Sequence, residues 1–348
     1  MSAPAPLPSD GLSPWHAGEL ALQRQAGVAA RVDPIGREFV RTSMSEQHRE
    51  FFPLLPFVLL GAVDPGGDVW ATLRAGLPGF LGAPDAQHLS VDTPRDPLDP
   101  ADAGMDDGHA IGLLGMDPMT RRRNRLNGTI RRTEGAQGFA IEVAQSFGAC
   151  PRYIARRSCV PTRPAGQPSP QAPYAMDALD DKARRMIASA DNLFVASYVE
   201  AKDSRDGQRQ VDVSHRGGKP GFVRIDADGG LTVPEFNGNF FFNTLGNFVL
   251  NPQAGLLFVD YETGDMLQMT GVAQVILDSP EIAAFQGAER LWRFMPRKVV
   301  HRPAGVPLRW DTSADGASPS VFRTGSWEQA SARLQDAWGP NVASQSPA

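Results

Sequence analysis

A mainly β fold (α+β in detail), built as two small barrels in tandem with short flanking helices, is what this sequence predicts. Three observations carry the prediction. The first is a motif that occurs twice: Arg74-x-Gly-x-Pro78-Gly79-Phe80 returns 142 residues later as Arg216-x-Gly-x-Pro220-Gly221-Phe222. A second pair of blocks, Gly112 to Asp117 and Gly255 to Asp260, lies at an offset of 143, where Asn127-Gly128 also matches Thr270-Gly271. Separate blocks at almost one offset argue for a duplicated domain. The second observation is a series of short apolar, β-branched runs punctuated by Gly and Pro. The third is that βαβ alternation and a Gly-rich strand-to-helix turn are both missing, which removes a nicotinamide domain of the Rossmann type.

The elements follow in order. Residues 1–14 read as a disordered leader. Residues 15–30 are patterned as a helix, and 45–52 as a short one with Ser43 or Ser45 as N-cap. Strands are expected at 56–63 and 69–73 around the turn Asp64-Pro-Gly-Gly67, then at 88–92 and 110–116, with a hairpin over 121–132 and 138–144. Residues 159–175, rich in Pro and polar residues, read as a linker. An amphipathic helix at 177–190 opens the second copy. Strands then restart at 192–199, 211–215, 221–225, 231–233, 255–260 and 266–277, followed by a helix at 280–286 and a strand at 296–301. The expected organisation is a first module over 15–158, the linker, a second module over 176–310, and a tail over 311–348 with a short helix at 327–338.

Composition narrows the function classes. A hydrophobic share of 41% and a charged share of 21% over 348 residues suit a globular chain large enough for two cores. A formal net charge of −5 gives no general reason to expect nucleic acid or an anionic membrane. No apolar run approaches a membrane span, and the N-terminus lacks the basic and apolar regions of a secretory signal. Cys150 and Cys159, the only cysteines, have no zinc-type neighbours. A cytoplasmic protein with reduced thiols is expected. His16, His48, His88, His109 and His301 are scattered, so no protein metal site is expected.

Two segments of the second copy carry chemistry. Ser214, His215, Arg216, Gly217 and Lys219 place a hydroxyl, an imidazole and two cations at the end of a strand. A guanidinium fork matches two phosphate oxygens, and the glycines let backbone N–H groups approach an anion. The alternative is an ordinary turn with solvated charges. The next segment favours binding: Asn237, Asn239, Asn243 and Asn247 fall within eleven positions among aromatics, beside Thr244. Their amides could grip the polar edge and hydroxyls of a flavin, although Asn also serves turns and caps.

The first copy keeps Thr72 and Arg74 but has Leu73 and Leu77 where the second has His215 and Lys219. In place of the asparagine run it has Pro94-Arg-Asp-Pro-Leu-Asp-Pro100-Ala-Asp, an acidic loop expected to repel a phosphate. It offers instead Arg121, Arg123 and Arg125 on one face of a strand, with Asn127 beyond. These read as a basic edge, or as arginines that complete a groove belonging mainly to the other copy. Cys150, before Pro151, reads as a structural thiol at a turn.

The motifs from Ser214 to Phe222, Asn243-Thr-Leu-Gly-Asn247 and Asn251-Pro with Gly255-Leu-Leu-Phe resemble the pyridoxamine 5′-phosphate oxidase-like, FMN-binding split barrels. Arg122 to Gly128 and Gln145-Ser-Phe-Gly-Ala-Cys150-Pro-Arg-Tyr153 resemble a subgroup with two such modules in tandem. The resemblance implies two split β-barrels of FMN-binding type, with FMN in a groove between them. It implies Ser214, Arg216 and Lys219 near the phosphate or ribityl chain, with Gly217, Asn239, Asn243, Thr244 and Asn247 nearby and Gln268 on a following strand. His215 would face flavin or substrate, and the arginine strand with Asn127 would complete the groove. The implied activity is an FMN-dependent oxidoreductase acting with a small-molecule substrate or an electron-donor reductase, as one chain or a homodimer. The alternative is a non-catalytic flavin or haem module, a carrier or sensor, with His215 as the axial ligand. The substrate-binding C-terminal pattern of pyridoxamine 5′-phosphate oxidase itself is missing, so vitamin B6 oxidation is not implied.

Overall fold

The computed structural model describes residues 13–133, 135, 137–312 and 316–338, so most of the expected leader and the last ten residues of the tail lie outside the described residues. Two sheets dominate. The first contains β1 (Phe57–Val63), β2 (Val69–Ala75), β3 (Leu81–Gly82), β4 (His88–Val91), β5 (Ala110–Asp117), β6 (Arg122–Arg131) and β7 (Phe139–Ala149). After β8 (Arg157–Pro161) and β9 (Tyr174–Met176), the second contains β10 (Asn192–Val199), β11 (Gln210–Gly217), β12 (Arg224–Ile225), β13 (Leu231–Phe236), β14 (Gln253–Val259), β15 (Met266–Ile276) and β16 (Ala288–Arg302), and β17 (Leu308–Thr312) follows it. The first sheet runs β2-β1-β5-β6-β7-β4-β3 and the second β11-β10-β14-β15-β16-β13-β12, the same order strand for strand.

Each sheet curls over its own core. Leu60, Leu113 and Leu126 lie in the first core, and Val195, Leu256 and Trp292 in the second. A third cluster joins the sheets: Phe57, Leu59 and Ala71 meet Phe194, Ala196 and Val213. Glycine sets how closely the sheets approach. A Cβ on Gly112 would lie 2.5 Å from the Val211 carbonyl oxygen, and one on Gly255 would lie 2.4 Å from that of Val69. These are the same two positions of the duplicated blocks, so the contact is reciprocal, as at a twofold interface.

Among the described residues seven α-helices flank the sheets: α1 (Ala17–Gln25), α2 (Ala29–Phe39), α3 (Glu46–Phe51), α4 (Asp181–Ser189), α5 (Asn243–Leu250), α6 (Pro280–Ala284) and α7 (Trp327–Trp338). The single helix expected over 15–30 is two, because Gly27 at φ +67° ends the first in the left-handed region. Ser45 caps α3 and Asp180 caps α4 through side-chain acceptors. The strand expected over 221–225 shrinks to two residues after a turn at Gly221. Pro296 does not start β16 but sits inside it, at a register shift where its missing N–H is tolerated. The expected linker is stitched down, with β8 paired to β17 and β9 to β16. Among the described residues no helix is long and apolar enough to cross a membrane.

Candidate functional site

A cleft opens where β6 of the first sheet meets β11, the edge strand of the second. Because β11 ends its sheet, the cleft reaches side chains from both of its faces: Ser214 and Arg216 from one, His215 from the other. Arg123 and Arg125 enter from β6 on alternate residues, as expected of a strand. Arg121 does not join them. It precedes β6 at φ +59°, and its guanidinium donates to the carbonyls of Ile154, Gly316 and Ala317.

Beneath the cleft lies a buried polar network. Arg125 donates to the Asp212 carboxylate at 3.1 Å and also to the Ser214 hydroxyl. Asn127 and Asn247 donate to the two oxygens of the same carboxylate at 2.7 and 2.8 Å. Thr244 donates to Ser214 at 2.9 Å, and His16 bonds to the Asn247 amide oxygen at 2.9 Å. Asn127 and Asn247 thus hold the network and do not line the cleft. Asn243 does both, facing the cleft while donating to Glu19 at 2.5 Å. Asn239 lines the cleft and accepts from the Phe241 N–H, which closes a turn.

Arginines outnumber carboxylates along the cleft, with Arg123, Arg125, Arg152, Arg216 and Arg290 against Glu235 and Glu289. Arg123 is buried, its Nε has no partner, and its one donation goes to the Cys150 carbonyl. Burial first, and then the neighbouring Arg216 and Arg125, push it down to about 9. Arg125 is also lowered by burial, and its Nε is likewise unpartnered. Arg216 lies 3.2 Å from Glu235, yet neither facing atom makes a hydrogen bond. His215 stands edge-on to Phe194, with Nε2 unpartnered. Burial, Arg123 and Arg216 hold its imidazole well below the ordinary range, so it is neutral at pH 7.

One wall of the cleft is the start of α5, a helix not expected from the sequence. Its N-cap residue, Phe242, sits at φ +61° and supplies no capping side chain. Phe240 is also left-handed, at φ +61°. Two aromatic residues in that region store strain, which is commonly found where a ligand is held. The uncapped N–H groups of a first turn are an anion site in themselves. Rings of Tyr153, Phe236, Phe240 and Phe242 flank the cleft, with Arg290 over Phe242 at 4.7 Å.

Of the residues singled out from sequence, the structure brings together Ser214, His215, Arg216, Gly217, Asn239, Asn243, Thr244, Arg123 and Arg125. Lys219 lies in the turn beyond β11, outside the cleft, where its carbonyl accepts from the Phe222 N–H. Gln268 faces the opposite end of the interface, donating to the Ala71 carbonyl and to Asp99. Glu235, Glu289 and Arg290 also line the cleft and carry no signal in the sequence, whereas Cys150, expected as a structural thiol at a turn, lines it too. Glu289 and Arg290 stand in the stretch of β16 before Pro296, outside the strand expected over 296–301. Among the described residues no group of three or more His, Cys, Asp or Glu side chains is placed to hold a metal ion.

No protein-family model matches the chain, and no curated protein matches it in sequence. Solved structures align with part of it. HupZ of Group A Streptococcus aligns at 16% identity over 40% of this chain and 98% of its own, with a TM-score of 0.26. HutZ, the heme storage protein of Vibrio cholerae, aligns at 15% identity over 35% of this chain and 93% of its own, with a TM-score of 0.25. A Clostridium acetobutylicum protein of the pyridoxinephosphate oxidase family aligns at 13% identity over 38% and 92%, with a TM-score of 0.25.

Proposed function

We propose that the two sheets are tandem split-barrel modules and that the cleft between them binds FMN. The observation that carries this reading is the junction of the buried Arg123 and Arg125, the half-buried Arg216 and an uncapped helix N-terminus, with aromatic rings alongside. Arg123 has no carboxylate partner, and with Arg125 and Arg216 beside it the cleft favours an anion, which a phosphate monoester supplies. Arg123, Arg125, Arg216, Ser214 and the start of α5 would hold the phosphate. Asn239 and Asn243 are placed for ribityl hydroxyls or the polar ring edge, and Tyr153, Phe236, Phe240 and Phe242 for the flat ring system. The same strand order in both sheets and the reciprocal glycine contacts support the tandem arrangement.

On this reading the protein is an oxidoreductase working on a small molecule. Bound FMN would supply hydride or single-electron transfer. The chain's own part is to orient the ring, exclude water with the aromatic wall, and hold a proton at His215 Nε2, which is neutral and lacks a partner. The test is a titration of the protein with FMN and with riboflavin, followed by flavin fluorescence. FMN should bind at least about 100-fold more tightly, the scale of two charge-assisted hydrogen bonds. Equal affinities would remove the phosphate site, and failure to take up either would sink the flavin reading. A Soret band on adding haem, lost in His215→Ala, would favour the haem-carrier alternative instead.

A further inference from the structure

The duplicated strands bring a second set of anion-binding groups together at the other end of the interface, and there a carboxylate of the chain itself fills it. Thr72 and Arg74 stand in β2 where Ser214 and Arg216 stand in β11. Gln268 pairs with Leu257 as Arg125 pairs with Leu114, so it occupies the matching place on β15. The single-turn helix at Pro100–Gly104 lies between β4 and β5 as α5 lies between β13 and β14. Its N-cap residue is Asp99, which stands 143 residues before Phe242, the N-cap of α5.

Asp99 is surrounded as a bound anion would be. Its carboxylate accepts from the Thr72 hydroxyl and the Arg74 guanidinium, from Gln268 at 2.9 Å and from the Ala101 N–H at 3.0 Å. Arg302 lies 3.1 Å from it, and the side chain has no solvent exposure. The charge balance at the two ends is opposite. Burial would lower Arg74, but Asp99, Asp96 and Asp102 raise it above the ordinary value, whereas Arg123 and Arg125 in the open cleft are lowered.

We infer that the chain contains two pseudo-equivalent oxyanion sites, and that Asp99 permanently occupies one as a built-in substitute for a ligand carboxylate or phosphate. Each chain therefore holds one anionic ligand, at the α5 end. The acidic loop does not merely repel phosphate from the first half; it replaces it. The identity of the ligand at the open end rests on the function proposed above, while the filling of the closed end rests on the contacts of Asp99 alone.

The test removes the carboxylate and offers it back as a solute. Asp99→Ala, and Asp99→Ser, which keeps a capping oxygen for the single-turn helix, should both lower the thermal midpoint. Acetate, formate or inorganic phosphate at tens of millimolar should restore it by about 5 °C or more beyond any rise in the wild type, since a ligand binding only the folded state stabilises it. No excess rise in either variant, or failure of both to fold even in these buffers, overturns the inference. Wild-type protein should titrate with one FMN per chain, and two would overturn it as well. Rescue by acetate without any FMN binding would leave the filled site standing and remove only the flavin reading.

Discussion

Arg125 in β6 and Asp212 in β11 form an ion pair between the two sheets at 3.1 Å, with side-chain exposures of only 6% and 8%. A pair this buried is strongly destabilising when broken on one side, because the remaining charge has no water to turn to. Arg125→Met should therefore cost about 3 to 5 kcal/mol in urea unfolding. Adding Asp212→Asn should recover much of that loss. FMN affinity should stay low in the double variant, since the guanidinium is still gone. Recovery of both stability and affinity would mean that Arg125 serves the interface and not the ligand.

The reciprocal glycine contacts make a symmetric prediction. Gly112→Ala and Gly255→Ala each drive a methyl group into a backbone carbonyl of the opposite sheet, at 2.5 and 2.4 Å. Backbone on both sides leaves little room to yield, so each should destabilise by about 1 to 3 kcal/mol or more. Similar losses in the two variants are expected from similar geometry. A neutral change at either position would contradict the close approach there.

Transplanting the first half's carboxylate tests the cleft from the other direction. Phe242→Asp places a carboxylate at the N-cap of α5, where Asp99 stands in the first half. Asp tolerates the left-handed region better than Phe, so the backbone does not oppose the change. Phe242→Asn is the uncharged control of the same size. FMN should bind Phe242→Asp at least about 30-fold more weakly than Phe242→Asn, the scale of a charged hydrogen-bond partner being lost to a competitor. Equal binding would place the anion elsewhere.

Much of this was legible in the sequence, for a physical reason. Repeated blocks at one offset expose a duplicated topology, and alternation along a strand placed Arg123 and Arg125 together. What escaped was set by contacts between distant segments. Asn243 begins a helix because Glu19 of α1 accepts its amide and Asn247 bonds to His16, partners more than two hundred residues away. Nothing local marks Asn243 and Asn247 as helical, and Asn is a poor helix former. Arg121 left its expected strand because carbonyls near residues 154 and 316 claim its guanidinium. Asp99 belongs in the sequence to an acidic loop expected to repel a phosphate, and only the packing of β2 and β16 against that loop reveals Arg74 and Arg302 around it.

Glu19 gives the pH dependence. It is buried in α1, accepting from Asn243 at the start of α5 and from the His16 N–H at 3.0 Å. Burial first, and then the Asp212 charge, raise its carboxyl to about 8. The folded chain thus keeps a proton that the unfolded chain releases near its ordinary carboxylate value. Stability from this group is complete below about pH 4.5, falls as pH rises and reaches its minimum above about pH 8. The acid side runs the other way. His48, lowered to about 4 chiefly by burial, and His16 and His215, also lowered, oppose folding as pH drops below 6.5. Glu19→Gln imitates the protonated form. It should match the wild type in urea midpoint at pH 5 and exceed it at pH 9, and a difference that does not change with pH would clear Glu19 of the effect. A negative charge at Glu19 also faces the helix end proposed to hold phosphate. FMN affinity should therefore fall between pH 7 and 9 more steeply in the wild type than in Glu19→Gln.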